Sequence, residues 1–193
     1  SVTATGFTDV DSARWSAPYI AYCVSRGIIN GMGDGTFAPT ANVTGYQLAK
    51  MMLCAAGYGK AGEFIGASWE LNVAVSGNKN GVFTSAKTAD FSKAATREEA
   101  ALYVFNAITK TKTVTYSKTN EAYTPVPAGT HNINGDAYTQ IADDVYSTLT
   151  TSAATVGGCT GYTWKLGTTA ISGFVTSDVT LATSTDGTSY AIL

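Results

Sequence analysis

Apolar residues recur three or four apart in several stretches of the chain, each bounded by recognisable start and stop signals. In WSAPYIAYCVSRG, Trp15, Tyr19, Tyr22 and Cys23 fall on one helical face. Pro18 is acceptable there because it sits in the first turn, and Gly27 supplies a C-terminal cap. The spacing predicts an amphipathic helix. The following IINGMGDGTFAPTAN is dense in Gly, Asp, Asn and Pro, which supply positive φ and Asx turns, with Ile28, Ile29 and Phe37 as apolar anchors. It predicts an ordered loop. Two further helices carry the same start signal: Thr44 is followed by Gln47, and Thr96 by Glu99. In such capping boxes the hydroxyl accepts from a backbone amide three residues on, and the longer side chain reaches back to the cap amide. Leu48, Met51, Met52 and Ala55 then form one apolar stripe, and Ala100, Tyr103, Val104 and Ala107 another. Both are assigned to the core, the methionines included.

These segments repeat. With Trp15 aligned on Trp69, an offset of 54, Gly27 falls on Gly81, Ile28-Ile29 on Val82-Phe83 and Phe37 on Phe91. Thr44 matches Thr96 once two residues are dropped from the second copy. Each copy reads helix, loop, helix, which divides the chain at 1–59, 60–109 and 110–193. Beyond 109 the composition changes: Arg is absent and Thr abundant. TVTYS from Thr113, YTWKL from Tyr162, AISGFV from Ala170, VTLAT from Val179 and SYAIL from Ser189 read as short strands. In DAYTQIADDVYSTLT, Tyr138, Ile141, Val145 and Leu149 have helical spacing within a strand-like composition, and helix is favoured. The final TSTDGTSYAIL reads as half a hairpin, from which the natural protein is expected to continue. The expected fold class is α+β, with helix-loop-helix repeats in the N-terminal half and a small β-rich C-terminal domain.

Composition narrows the function. The charged fraction is 13% and the formal net charge −2, which leaves no basic footprint for nucleic acid. No apolar stretch reaches the roughly 18 residues that span a bilayer. Cys23, Cys54 and Cys159 lack the close pairing of zinc sites, which leaves buried free thiols or a Cys23–Cys54 disulfide. His131, the one histidine, lies in a Gly/Asn-rich loop without a nucleophile motif beside it. Asp143 and Asp144 are adjacent and diverge on helix or strand, a poor acid/base pair. Asp34 between Gly33 and Gly35 is one carboxylate where a calcium loop needs several. The chain is expected not to be an enzyme, with neither cofactor nor metal.

In order, FxDV at Phe7 to Val10, Trp15, GIING at Gly27 to Gly31, DGTFxP at Asp34 to Pro39 and the helix opening at Thr44 closely resemble an S-layer homology repeat. A second, divergent copy keeps Trp69, Gly81-Val82-Phe83, Phe91 and TREE at Thr96 to Glu99 where the family has TRAE, but lacks the DGTF loop. The resemblance covers about residues 7 to 109. It implies an extracellular, cell-wall location and non-covalent anchoring to secondary cell-wall polysaccharide, often pyruvylated, in grooves between repeats. The family's sugar-contacting Arg falls on Arg97, a planar fork for a carboxylate; the matching position of the first copy is Gly45, a groove without its cation. The motif positions extend the candidate polysaccharide-binding set to Thr96, Glu99, Trp69, Trp15, Asp34, Gly35, Thr44 and Gln47. The family usually has three repeats around a shared core. An upstream repeat, the Thr-rich domain folded back or a neighbouring subunit could then cover the open side, a homo-oligomer or an upstream repeat is expected, and a self-assembling structural subunit is the alternative role.

Overall fold

A computed structural model describes residues 5–88, 90–129, 132–156, 159–170, 182–183 and 189–190. Helices and small antiparallel sheets are both present, an α+β arrangement. The chain divides into two compact units, one running through Pro127 and including Tyr138–Ile141, the other formed by Ala128–Ala137 and the chain from Ala142 onward.

The first unit contains α1 (Ala17–Ser25), α2 (Gly45–Ala55), α3 (Trp69–Lys79) and α4 (Arg97–Thr109). A hairpin of β1 (Val114–Ser117) and β2 (Ala122–Pro125) follows, with Val114 opposite Pro125. The helices form two apolar clusters. Val10, Ala17, Ile20 and Ile29 make the smaller, joined by Phe7, Phe37 and Met51. Leu53, Phe64, Val73, Val82, Phe83, Tyr103 and Val114 are central to the larger.

The face of α1 corrects the sequence expectation. The buried residues are Ala17, Ile20 and Ala21, whereas Trp15, which precedes the helix, Tyr19 and Tyr22 are 79%, 67% and 55% exposed. Both faces of this helix are apolar, so the period alone does not select one; the small aliphatic face packs against Val10 and Ile29, and the bulky aromatic face is left outside. Cys23 is half-buried, and both Cys23 and Cys54 are free thiols.

On α2 the buried line is likewise displaced. Gly45, Ala49, Leu53 and Cys54 are buried, whereas Leu48, Met51 and Met52 are half-buried and Ala55 is exposed. Small residues at Gly45 and Ala49 let neighbouring chain approach closely, while Met51 packs on the smaller cluster and Leu48 and Met52 on the larger. On α4, Tyr103 and Ala107 are fully buried, as the stripe predicts, whereas Ala100 and Val104 are half-buried.

The opening FxDV motif is a clamp on the loop after α1. The Asp9 carboxylate accepts from the Phe37 amide at 2.8 Å and the Ala38 amide at 2.7 Å, and Phe7 stacks on Phe37 with ring centroids 5.4 Å apart. These amides, Phe37 first, hold Asp9 below the usual carboxylate range. Gly31 is required because a side chain there would meet the Phe7 ring and the Thr36 carbonyl oxygen, 2.6 Å from a Cβ.

Packing carries the first unit beyond the compositional change at 110. Val114 is buried in the larger cluster with Tyr123 against it, and the Val114 amide donates to the Ala56 carbonyl at 2.9 Å. Residues 138–140 belong here as well: the Thr139 amide donates to Val126, and Thr139 accepts from the Thr113 amide. Extended pairing of that segment excludes helix, so the expected helix is limited to α5 (Ile141–Val145), and Leu149 opens a strand instead.

In the second unit, β3 (Leu149–Val156) pairs antiparallel with β4 (Cys159–Leu166), Leu149 opposite Leu166. β5 (Thr169–Ala170) adds to β4, and β6 (Ala182–Thr183) pairs with β7 (Ser189–Tyr190). The Asp143 carboxylate accepts from the Ile133 amide at 2.7 Å. The strand expectations over 171–175 and 179–181, the end of SYAIL over 191–193 and the histidine at 131 lie outside the described residues.

Candidate functional site

The two capping-box helix starts come together. The chain before α2 runs antiparallel to the chain before α4, with Thr44 bridged to Ala94. The Ala95 amide donates to Val43 at 2.9 Å, the Gly45 amide to Lys93 at 3.1 Å and the Tyr46 amide to Phe91 at 3.0 Å.

Four of the candidate residues close the capping boxes on either side of this junction. The Thr44 amide donates to Gln47 Oε1 at 2.9 Å, and the Gln47 amide to Thr44 Oγ1 at 3.2 Å. The Thr96 amide donates to Glu99 Oε2 at 2.7 Å, and the Glu99 amide to Thr96 Oγ1 at 3.2 Å. Their polar atoms satisfy helix-start donors, so their contribution to any site is positional.

Arg97 is the first residue of α4 and exposed. No hydrogen bond or ion pair ties its guanidinium to another described residue, so the fork is available to a ligand. Glu98 and Glu99 share its turn, which suits the helix dipole and tempers the local positive charge.

The equivalent start at α2 is closed. Its first two amides are already paired with Lys93 and Phe91, and a Cβ on Gly45 would lie 3.0 Å from the Phe91 carbonyl oxygen and 3.1 Å from its Cα. The groove that lacks a cation at Gly45 thus has a packing reason for its glycine, which permits the two segments to meet. Gly45→Arg should cost about 1–3 kcal/mol through overpacking and add no anion affinity. Urea denaturation checks it, and a variant as stable as the parent would mean that segment 91–93 yields freely.

The remaining candidates make contacts of their own. Trp15 meets Tyr19 edge-on at 6.2 Å, and the Arg26 guanidinium lies over the Tyr22 ring at 5.3 Å, so α1 presents an aromatic stripe to solvent. Trp69 is half-buried against the larger cluster, with Lys50 Nζ 5.3 Å from its ring. Asp34 accepts from the Thr36 hydroxyl at 2.6 Å and the Thr36 amide at 2.9 Å, which depress its pKa in that order. The Gly35 carbonyl accepts from the Thr8 amide at 3.1 Å. Asp34 and Gly35 thus build the loop.

A cavity of about 340 Å³ that sequence reading missed is walled by Tyr58, Glu63, Lys79, Asn80, Lys112 and Tyr123. A neighbouring one of about 220 Å³ shares Lys79, Asn80 and Lys112 and adds Lys110 and Tyr138. No motif marks these residues; they come from the ends of α3 and α4, the loop after α2 and the hairpin. Among the described residues no group of three or more His, Cys, Asp or Glu could hold a metal ion.

Comparison with curated proteins gives no match, and comparison with solved structures gives none. Residues 6–49 match the S-layer homology domain. Domains of this type generally mediate cell-wall anchoring of surface proteins and imply association with the cell surface. No helix among the described residues is long and apolar enough to cross a membrane. The comparisons thus place one S-layer homology domain in the chain, at residues 6–49.

Proposed function

We propose that this chain anchors a secreted surface protein non-covalently to the bacterial cell wall by binding secondary cell-wall polysaccharide, and that it does so without catalysis. The observation that carries the reading is the S-layer homology match over residues 6–49. Residues 60–109 serve as a divergent second repeat: α1/α2 and α3/α4 are successive helix pairs whose second member opens with a capping box. Gly27 (φ +67°) and Gly81 (φ +81°) follow the first member of each pair. Arg97 supplies the cation for an acidic, pyruvylated sugar, and the open rings of Trp15 and Tyr19 offer apolar faces on which sugar rings stack.

Arg97→Ala should weaken binding of the full chain to purified acidic wall polymer by about 1.5–3 kcal/mol, with a loss that shrinks as salt rises. Equal affinity of variant and parent would remove Arg97 from the site. The exposed aromatics of α1, together with Met32 at 57% exposure, favour a second reading, a self-assembling structural subunit. Sedimentation over a range of concentrations tests it: mass that rises with concentration supports self-assembly, and a monomer throughout removes it.

A further inference from the structure

We infer that the cavity between the end of α3, the end of α4 and the β1–β2 hairpin is a second carbohydrate site, selective for a sugar unit that carries both a carboxylate and free hydroxyls. It shares no residue with the Arg97 site and stands independently of the anchoring role.

The charge comes first. Lys79, Lys110 and Lys112 line the two joined hollows, against the single carboxylate of Glu63. None of the three lysines is in an ion pair with another described residue; the one ion pair among the described residues is Lys93–Asp90. Lys79 and Lys110 stand at the C-terminal ends of their helices, where a cation is favoured by the helix dipole whether or not a ligand binds. That reason does not extend to Lys112, which lies in extended chain with its Nζ 5.7 Å from the Tyr138 ring centroid.

The walls indicate more than a bare anion. Tyr58 and Tyr123 pack ring to ring at 5.4 Å, and burial pushes both phenols up to about 12, so they stay neutral at physiological pH. Each hydroxyl is fixed: Tyr58 donates to Asn80 Oδ1 at 2.9 Å, and Tyr123 donates to Glu63 Oε1 at 2.7 Å. The Gly59 amide donates to the same Glu63 oxygen at 2.8 Å. Its partner oxygen, Glu63 Oε2, is shielded from solvent and accepts nothing. A buried carboxylate oxygen without a donor is costly. A ligand therefore meets the phenol and amide groups of Tyr58, Tyr123 and Asn80 on the wall rather than this shielded oxygen. Acetate or sulfate engages only the lysines, whereas an acidic sugar brings hydroxyls for those polar groups, a ring face for the tyrosines and a carboxylate for the lysines. A volume of about 340 Å³ falls in the range of pockets that take a small molecule.

Calorimetric titration of the full 193-residue chain with glucuronic acid at low ionic strength is the test, with glucose and acetate as separate probes. Glucuronic acid should bind measurably and at least about fivefold more tightly than glucose or acetate. Lys112→Gln should weaken it by about fivefold or more, as expected for the loss of one partly solvated charge contact. Lys79→Gln, on an exposed side chain that leaves folding intact, should act in the same direction, while Arg97→Ala should leave the affinity unchanged. Retained glucuronate affinity in both lysine variants, equal affinity for acetate and glucuronic acid, or absence of binding would each overturn the proposal. A loss in Arg97→Ala alone would assign the binding to the wall-anchoring site instead.

Discussion

Asn106→Ala should destabilise the first unit by roughly 2–4 kcal/mol, the cost of leaving one buried and one part-buried backbone acceptor unpaired. Asn106 is fully buried on α4, and its Nδ2 donates to the Val82 carbonyl at 3.0 Å and the Thr84 carbonyl at 2.8 Å. Those carbonyls belong to the turn that carries Val82 and Phe83 into the larger cluster. One amide group therefore holds an otherwise irregular segment against a helix. Asn106→Leu separates this role from simple filling of space, since it restores volume without the donors. Both variants should melt well below the parent in circular-dichroism thermal scans; a leucine variant as stable as the parent would show that volume, not hydrogen bonding, is what the site needs.

Tyr103 should give opposite results for two truncations. Its ring is fully buried, edge-on to Phe83 at 5.2 Å and 6.2 Å from Phe91. Tyr103→Ala should cost about 3–5 kcal/mol, as aromatic-to-alanine changes in cores do. Its hydroxyl is buried without a partner, so Tyr103→Phe should be neutral or stabilising by about 1 kcal/mol. Burial, and secondarily the charge of Glu99, push the phenol up to about 12. Because the folded pKa is raised, the neutral form's contribution is complete below the ordinary tyrosine pKa, near 10, and is lost as pH rises from there through about 12. The phenylalanine variant should therefore lose less stability than the parent between about pH 10 and 12 in urea titrations. Tyr58 and Tyr123, raised in the same way, preserve part of the slope in both proteins. A Tyr103→Phe variant destabilised by more than about 2 kcal/mol would imply that the hydroxyl is satisfied.

Local chemistry was legible in the sequence. Thr44 with Gln47 and Thr96 with Glu99 act within four residues of one another, and both boxes close as read. The Asp9 clamp shows what the FxDV motif does once Phe37 and Ala38 are brought to it. Facing was less legible: the aromatic and aliphatic rows of α1 have the same period, and only the shape of the partner surface decides between them. Gly45 shows a similar limit, since its reason for being glycine is a backbone segment remote in sequence. The lysine- and tyrosine-lined cavity had no linear signature at all, because it exists only after the hairpin packs onto the helices. Arg97 was nominated by a family motif, and the structure adds that its side chain is exposed and makes no hydrogen bond or ion pair with another described residue.

The antiparallel junction between Val43–Tyr46 and Phe91–Ala95 bears on how the chain acquires its structure. The segment that matches the S-layer homology domain stops at residue 49, inside α2, and the amides of Gly45 and Tyr46 find their acceptors only on chain made later during synthesis. A ribosome that has released only the first helix pair presents a helix start without its closing partners and Leu53 without Tyr103 or Val82 around it. The smaller cluster, built from residues 7–51, needs nothing later, whereas the larger one draws on α3, α4 and the hairpin, so its contacts come only after the entropy of closing that longer loop. In hydrogen exchange the two amides should open in the same cooperative event as Phe91–Ala95.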